Sequence, residues 1–258
     1  MLHEDRGRAE SFGDAAERYD RARPSYPPAL VDDLTAGTTR RVLDVGCGTG
    51  IASRLFTARG CAVVGVEQDA RMAEVARRHG IDVEVASFET WDARDRTFDL
   101  VACGQAWHWI DPDVGPVRAG SVLVPGGRWA AFWNRYHHEP DVFASFREVH
   151  RAAGVAEHSI AMGGTLPRDL TSDQRAADVA AVDRSGLFEP VEERGYAWDR
   201  AYGRDEWIDD LSTHSGYATL PADVLRGLLD GIGAAVDRLG GRIVVHMATE
   251  LLTAVRRG

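Results

Sequence analysis

The chain contains no lysine. All 30 of its basic residues are arginine, set against 40 acidic ones for a net charge of −10 over 258 residues. An acidic surface repels phosphate backbones and anionic lipid, which argues against a nucleic-acid partner and a membrane-surface partner. Cysteine is scarce too. Cys47, Cys61 and Cys103 are odd in number, with no C-x-x-C pair and no Cys/His set at zinc spacing. This excludes a disulfide framework and a zinc module, and it predicts a protein of the reducing cytoplasm; no constellation of Asp and His stands out either, so a metal-independent protein is expected. No apolar run approaches the roughly 20 residues needed to cross a bilayer. The opening Met1-Leu2-His3-Glu4-Asp5 lacks the apolar core of an export signal. Internal repeats and low-complexity tracts are absent as well. What remains is 44% hydrophobic and 27% charged, enough to bury a sizeable core in one large domain or one domain with a cap.

The most informative stretch is Val42-Leu43-Asp44-Val45-Gly46-Cys47-Gly48-Thr49-Gly50. Val42, Leu43 and Val45 read as the end of a buried parallel strand. Glycines then stand on alternate positions, and a helical pattern begins at Ile51. Strand, tight glycine turn and helix let the backbone approach a ligand closely and aim the helix N-terminus at it. A dinucleotide fingerprint, G-x-G-x-x-G, would need glycine at position 51. Ile51 stands there, which argues against a nicotinamide-dependent oxidoreductase; titration with the two cofactors separates the cases.

The G-x-G-x-G pattern with Asp44 just ahead of it resembles the first motif of the class I S-adenosylmethionine-dependent methyltransferases. Two more segments carry the resemblance. Phe12…Tyr19-Asp20…Arg23-Pro24-Ser25-Tyr26-Pro27 is similar to the leading segment of the small-molecule enzymes of that class, and Leu123-Val124-Pro125-Gly126-Gly127 is another family marker. The fold implied is α/β, a Rossmann-like, mostly parallel seven-stranded sheet with the last strand antiparallel, helices on both faces and a helical cap over the substrate. One domain spans residues 1–258, with an N-terminal lid over 1–40 and cap elements over about 141–190 and 203–240.

Along the chain, Ser11 and Asp14 are candidate N-caps for a helix over about Ala15–Asp20. A second helix starts at Pro27 or Pro28 and carries Leu30, Val31 and Leu34. Strands are expected at Arg41–Val45, Cys61–Val66, Ile81–Val85, Thr97–Cys103, Arg128–Trp133, Glu192–Trp198 and around Ile243–Met247 and beyond, within Arg242–Val255. The helices between them are expected at about Gly50–Ala58, with Gly60 as C-cap, then from Gln68 or Asp69 through Met72, Val75 and Ala76, and irregularly from Asp111 to Leu123. Later helices are Arg204–Ser215 and Pro221–Leu239. Gly154 and Gly163-Gly164 are expected breaks in the first cap segment.

Glu67 stands about 20 residues past the glycine turn, where such a fold places an acid on ribose hydroxyls; the alternative is an exposed strand-end carboxylate. The turn residues Asp44, Gly46, Cys47, Gly48 and Gly50 are the other primary cofactor candidates, and Gln68 would neighbour the adenine. The resemblance puts Ser87, Phe88 and Glu89 loosely at the adenine. It brings Tyr19, Arg23 and Tyr26 from the lid to the cofactor or substrate, with Arg23 suited to the cofactor's carboxylate. Against these stand packing roles for Phe88 and the tyrosines and a solvated Arg23. Trp91 is read as core.

Gly104-Gln105-Ala106-Trp107-His108-Trp109-Ile110-Asp111 leaves the fourth strand on the side where open parallel sheets bind ligands. Gly104 and Gln105 are therefore cofactor candidates, and Trp107, His108 and Trp109 acceptor-side candidates. This segment resembles the His-Trp or Gln-Trp segment of trans-aconitate and juvenile hormone acid methyltransferases, which methylate carboxylates. It is not the Asn/Asp-Pro-Pro-Tyr/Phe motif of many nucleobase and amide enzymes. Trp107 or Trp109 could meet a sulfonium through its ring. Strand-like alternation would point both to one side and His108 to the other, and a turn would change that. His108 or His214 could act as base for a hydroxyl acceptor, whereas His137 and His138 are read as structural or surface groups.

The function expected is O-methylation of a small carboxylate by direct in-line transfer, in a monomer or homodimer. The alternatives are hydroxyl, C- or N-methylation of a specialised metabolite, or non-catalytic cofactor binding.

Overall fold

A computed structural model describes residues 16–155, 168–218 and 220–258. The expected caps Ser11 and Asp14, the residues Phe12 and Ala15, and the Gly163-Gly164 break lie outside them. In the first half, helix α1 (Ala16–Ala22) and α2 (Pro28–Leu34) precede strand β1 (Arg41–Val45), α3 (Ile51–Ala58), β2 (Ala62–Glu67), α4 (Ala70–Arg78), β3 (Asp82–Val85) and β4 (Phe98–Gly104). A single 3-10 turn over Trp107–Trp109 and α5 (Gly115–Val122) lead into β5 (Leu123–His138). Then come α6 (Pro140–Ala152), α7 (Arg168–Ser185), β6 (Glu192–Gly203), α8 (Arg204–Ser212), α9 (Ser215–Ala218), α10 (Ala222–Arg238) and β7 (Arg242–Val255).

The strands form one seven-stranded sheet in the order β3-β2-β1-β4-β5-β7-β6. The first five are parallel, and β7 runs antiparallel to both β5 and β6. Sequence dictates the two faces through the pleat. Leu43, Val45, Val101, Cys103, Trp129, Ala131 and Trp133 bury one face against α5 and α7 through Ala119, Val122 and Val182. Val42, Leu100, Ala102, Ala130 and Phe132 bury the other against α2 and α3 through Leu30, Leu34 and Phe56. A separate cluster beyond the sheet's carboxyl end joins Tyr136, Tyr202, Ile243, Val245 and Met247 to α6, α8 and α10. Among the described residues, no helix is long and apolar enough to cross a membrane.

Four expected boundaries shift for physical reasons. β5 starts earlier than Arg128, because Leu123 already pairs with Phe98; Pro125-Gly126-Gly127 is a register shift inside the strand, and Leu100 then pairs with Arg128. It also runs past Trp133 to His138, because β7 pairs with it there, His138 opposite Val245. The helix expected over Arg204–Ser215 breaks at Thr213, whose N–H turns back to the Asp210 carbonyl at 3.0 Å. β6 likewise continues past Trp198, pairing through Gly203 with Arg242.

Candidate active site

The glycine turn explains its own spacing. Gly46, Gly48 and Gly50 have φ of +62°, +55° and +83°, the left-handed region that L side chains rarely adopt. A Cβ at Gly46 would stand 2.7 Å from the Ala106 Cβ, so the turn also needs the close approach of the loop after β4. Gly46 and Cys47 both donate to the Val66 carbonyl, at 2.8 and 3.2 Å. Cys47 packs its own thiol inward, against Gly65.

Glu67 ends β2 beneath this turn. Its Oε2 accepts from the Gly48 amide and its Oε1 from the Asp69 amide, each at 2.9 Å. Burial pushes its pKa up, and those backbone donors hold it back. Asp44 lies deeper: it is buried and accepts the Ser53 hydroxyl at 2.6 Å. Burial pushes its carboxyl up to about 7, opposed by the Ser53 hydrogen bond and aided by the charge of Glu67. Gln68 is exposed beside the turn.

The end of β3 is tied to the loop after β4. Ser87 donates to Glu89, and Glu89 Oε1 accepts the Asp111 amide at 3.1 Å. Phe88 stands apart from these two. Its ring is buried with Trp91, Trp107 and Trp129, because the residue after Ser87 turns inward at the strand's end.

Gly104 and Gln105 form the floor next to the turn. A Cβ on Gly104 would meet the Tyr26 hydroxyl at 2.6 Å, and Gln105 holds φ of +62° while donating to the Phe132 carbonyl at 2.8 Å. A non-glycine residue in that region costs about 1–2 kcal/mol. The 3-10 turn beyond decides the open question of direction. At about 120° per residue, Trp107 and Trp109 cannot share a side. Trp107 goes to the core against Trp129, ring centroids 5.1 Å apart. Trp109 stays half-buried with its ring 4.9 Å from His108. His108 Nδ1 faces Trp133 Nε1 at 3.2 Å.

Helix α1 lies across both halves of the molecule. Asp20 Oδ1 takes both terminal nitrogens of Arg54 at 2.9 Å, and Asp20 Oδ2 meets His79 Nε2 at 2.8 Å. On its other side Arg18 and Arg21 reach Asp209 of α8 at 4.0 and 3.7 Å. Arg23 continues this bridge: its Nη2 donates to the Thr213 carbonyl at 3.0 Å and its guanidinium lies 5.0 Å over the Tyr19 ring. Burial pushes the Arg23 pKa down, yet Tyr19, Tyr136 and Asp210 together raise it, so Arg23 is a fixed cation. Tyr26 packs edge-on to Phe132 at 4.7 Å.

His214 sits in the break after α8. Its Nε2 faces Asp210 Oδ2 at 3.3 Å, and the Tyr136 hydroxyl donates to Asp210 Oδ1 at 3.5 Å. Burial and the Arg23 charge lower the His214 pKa, against the pull of Asp210. Trp133 and Tyr136 are three positions apart on β5 and so face opposite sides. His108 and His214 therefore rest against opposite faces of that strand. Three contributors escaped the sequence reading: Asp210, Trp133 and Tyr136. Asp210 had a signal in its spacing, four residues before His214 within the helix expected over Arg204–Ser215. His138 packs edge-on to Phe146 and Trp207, a structural role as expected. Among the described residues, no cluster of three or more His, Cys, Asp or Glu could hold a metal.

A strand-glycine turn-helix unit with an acid at the next strand end, in a 3-2-1-4-5-7-6 sheet, defines a class I methyltransferase fold. The glycine turn leaves backbone room that a Cβ would fill, and Glu67 supplies acceptor oxygens beside it, so the residues fit S-adenosylmethionine. A family model described as a methyltransferase domain matches residues 42–127. An uncharacterized methyltransferase of Mycobacterium tuberculosis is 33% identical over 225 residues, covering 86% of this chain and 84% of that protein. The trans-aconitate 2-methyltransferase of Mycobacterium ulcerans is 27% identical, over 70% of this chain and 66% of that one. In fold, the chain superposes with a TM-score of 0.64 on a protein from Anaeromyxobacter dehalogenans assigned as a type II methyltransferase, at 23% identity over 91% of this chain and 97% of that one. The chain belongs to the S-adenosylmethionine-dependent methyltransferases.

Proposed function

We propose that the enzyme transfers a methyl group to a carboxylate oxygen of a small organic acid, giving an ester. The cofactor supplies a sulfonium-bound methyl, so the oxygen–carbon bond forms as the sulfur–carbon bond breaks, and a carboxylate has no proton to lose. The observation that carries the proposal is Arg23. Its Nε is buried without a hydrogen-bond partner, and among the described residues no carboxylate lies within 4.0 Å of its guanidinium. An enclosed cation with a spare donor draws a planar anion. Both the cofactor and an acid substrate bring a carboxylate to this space. The trans-aconitate enzyme among the relatives supports the same acceptor class.

In this reading Glu67 holds the ribose hydroxyls, Gln68, Ser87 and Glu89 border the adenine, and the turn Gly46–Gly50 cradles the rest of the cofactor by its backbone. Helix α1 with Tyr19 and Arg23 is the lid, and α6, α8, α9 and α10 are the cap. Trp109 offers a ring face to the sulfonium. The chain's own task is to align the two reacting atoms and keep water out.

A second reading rests on Asp210 and His214. A neutral His214 that donates from Nε2 to Asp210 keeps Nδ1 as a proton acceptor, which would serve a hydroxyl. Purified protein with methyl-labelled S-adenosylmethionine and separate panels of small carboxylic acids and of phenols and alcohols tests both. Transfer to acids is expected. Transfer to hydroxyls alone would favour the second reading, and none at all, with the cofactor bound, would favour a binding protein without turnover.

A further inference from the structure

The carboxylate of Glu89 lies between donors from two separate parts of the chain. Ser87, just past the end of β3, donates its hydroxyl to Oε2. The Asp111 amide, beyond β4, donates to Oε1 at 3.1 Å. A tight turn prepares this arrangement, with the Thr90 amide on the Ser87 carbonyl at 3.1 Å. It sends Phe88 into the core, its ring 6.4 Å from that of Trp107, and leaves Glu89 half-buried. Asp111 is itself anchored. Its Oδ1 accepts the Asp113 and Val114 amides at 2.8 and 3.3 Å, and its carbonyl accepts the Gly115 amide at 2.7 Å. Those bonds satisfy orphan donors at the start of α5. Ile110 packs on the same place: a Cβ on Gly115 would stand 2.5 Å from Ile110 Cγ2.

The turn over Trp107–Trp109 hangs between this anchor and a second one, the Gln105 amide on the Phe132 carbonyl at 2.8 Å. Within it, Trp109 N bonds the Ala106 carbonyl at 2.9 Å and Ile110 N the Trp107 carbonyl at 3.0 Å. A single 3-10 turn has little stability of its own, so its place in the site is decided at its ends. We propose that Glu89 is a positioning residue: by accepting the Asp111 amide it fixes the Trp107–Trp109 turn against the end of β3. Ser87 orients the carboxylate for that bond, which is charge-assisted. The role rests on the reading of Gly104–Trp109 as the acceptor-side border and deepens it. In-line transfer demands alignment of the two reacting atoms, and a side chain from the adenine end then sets where the acceptor's wall stands.

Glu89→Ala and Glu89→Gln isolate the role. Glutamine can keep both bonds, since its carbonyl accepts the Asp111 amide and its NH2 donates to the Ser87 oxygen. Alanine keeps neither. Hydrogen exchange over peptides spanning residues 104–114, read by mass spectrometry on protein saturated with S-adenosylhomocysteine, needs no acceptor. Alanine should speed exchange there about tenfold or more, and glutamine less than about threefold. Calorimetry should give both variants an S-adenosylhomocysteine affinity within about threefold of wild type. With any acceptor that is turned over, at saturating cofactor, alanine should lower kcat about 10- to 100-fold and glutamine should recover most of that loss. Unaltered exchange in Glu89→Ala overturns the proposal. So does a kcat that holds while the affinity falls tenfold, the behaviour of an adenine ligand. Faster exchange and a lower kcat in a protein that methylates hydroxyls and refuses acids would support the role of Glu89 and sink the acid reading alone. Faster exchange in a protein that turns over no acceptor would sink the alignment role together with that reading.

Discussion

Replacing Glu67 by glutamine separates its structural role from the ribose-binding role proposed for it. In the structure the carboxylate accepts two backbone amides, Gly48 N and Asp69 N, each at 2.9 Å. Glutamine keeps the shape but has a single acceptor oxygen, so its NH2 must face one of those N–H groups. A buried donor left unpaired costs about 1–3 kcal/mol. Removing a charge whose burial raises its pKa offsets part of that, so Glu67→Gln should stay folded, with a stability loss of about 1–2 kcal/mol. The effect on the cofactor is larger. A hydrogen bond from a ribose hydroxyl to a carboxylate is charge-assisted, and losing one such bond, at about 1.5–3 kcal/mol, weakens binding about 10- to 150-fold. Calorimetric titration with S-adenosylhomocysteine, alongside circular dichroism to verify the fold, measures it. A folded variant whose affinity stays within about twofold of wild type would refute the placement of the ribose at Glu67.

Three further outcomes follow from the same geometry. Gly46→Val, at φ +62° and with a Cβ 2.7 Å from Ala106, should lose about 2 kcal/mol or more of stability and all measurable S-adenosylhomocysteine binding; unchanged calorimetry would remove the turn from the site. His214 is depressed in the fold by burial and Arg23, so near pH 6.5 the native state binds fewer protons than the unfolded chain. Its contribution is full above the unfolded pKa of about 6.5 and is lost as pH falls through the lower folded value. Thermal unfolding of wild type should therefore drop more steeply from pH 7 to 5 than that of His214→Gln, and parallel curves would contradict the assignment. Asp20→Asn removes the partner of Arg54 and His79. If α1 is the lid, dissociation of S-adenosylhomocysteine in stopped flow should speed up about fivefold, with less dependence on salt; equal rates would deny α1 that role.

The parallel half of the sheet could be read directly, because the central strands β1 and β4 are buried on both faces and run mostly as apolar residues. The glycine turn was equally legible, since its three glycines answer a backbone need that no other residue meets. The extension of β5 was not. Asn134-Arg135-Tyr136-His137-His138 looks polar and loop-like, and only the pairing with β7 makes it strand. Trp107 and Trp109 looked alike until a 3-10 turn sent one to the core and left the other near His108. Asp210 was silent for a different reason. An aspartate in an acidic helix reads as solvated, and only tertiary packing buries it completely against His214 and Tyr136. What the sequence hid was thus mostly long-range pairing, which local periodicity does not encode.

Methyl transfer to a carboxylate leaves its mark in the chemistry of the product. A methyl ester releases methanol in mild alkali, whereas a methyl ether, an N-methyl or a C-methyl product does not. Purified protein given methyl-labelled S-adenosylmethionine and a pool of small organic acids should yield label that leaves as volatile methanol after alkaline treatment. Label that is transferred yet stays fixed through that treatment would place the methyl on an atom other than a carboxylate oxygen.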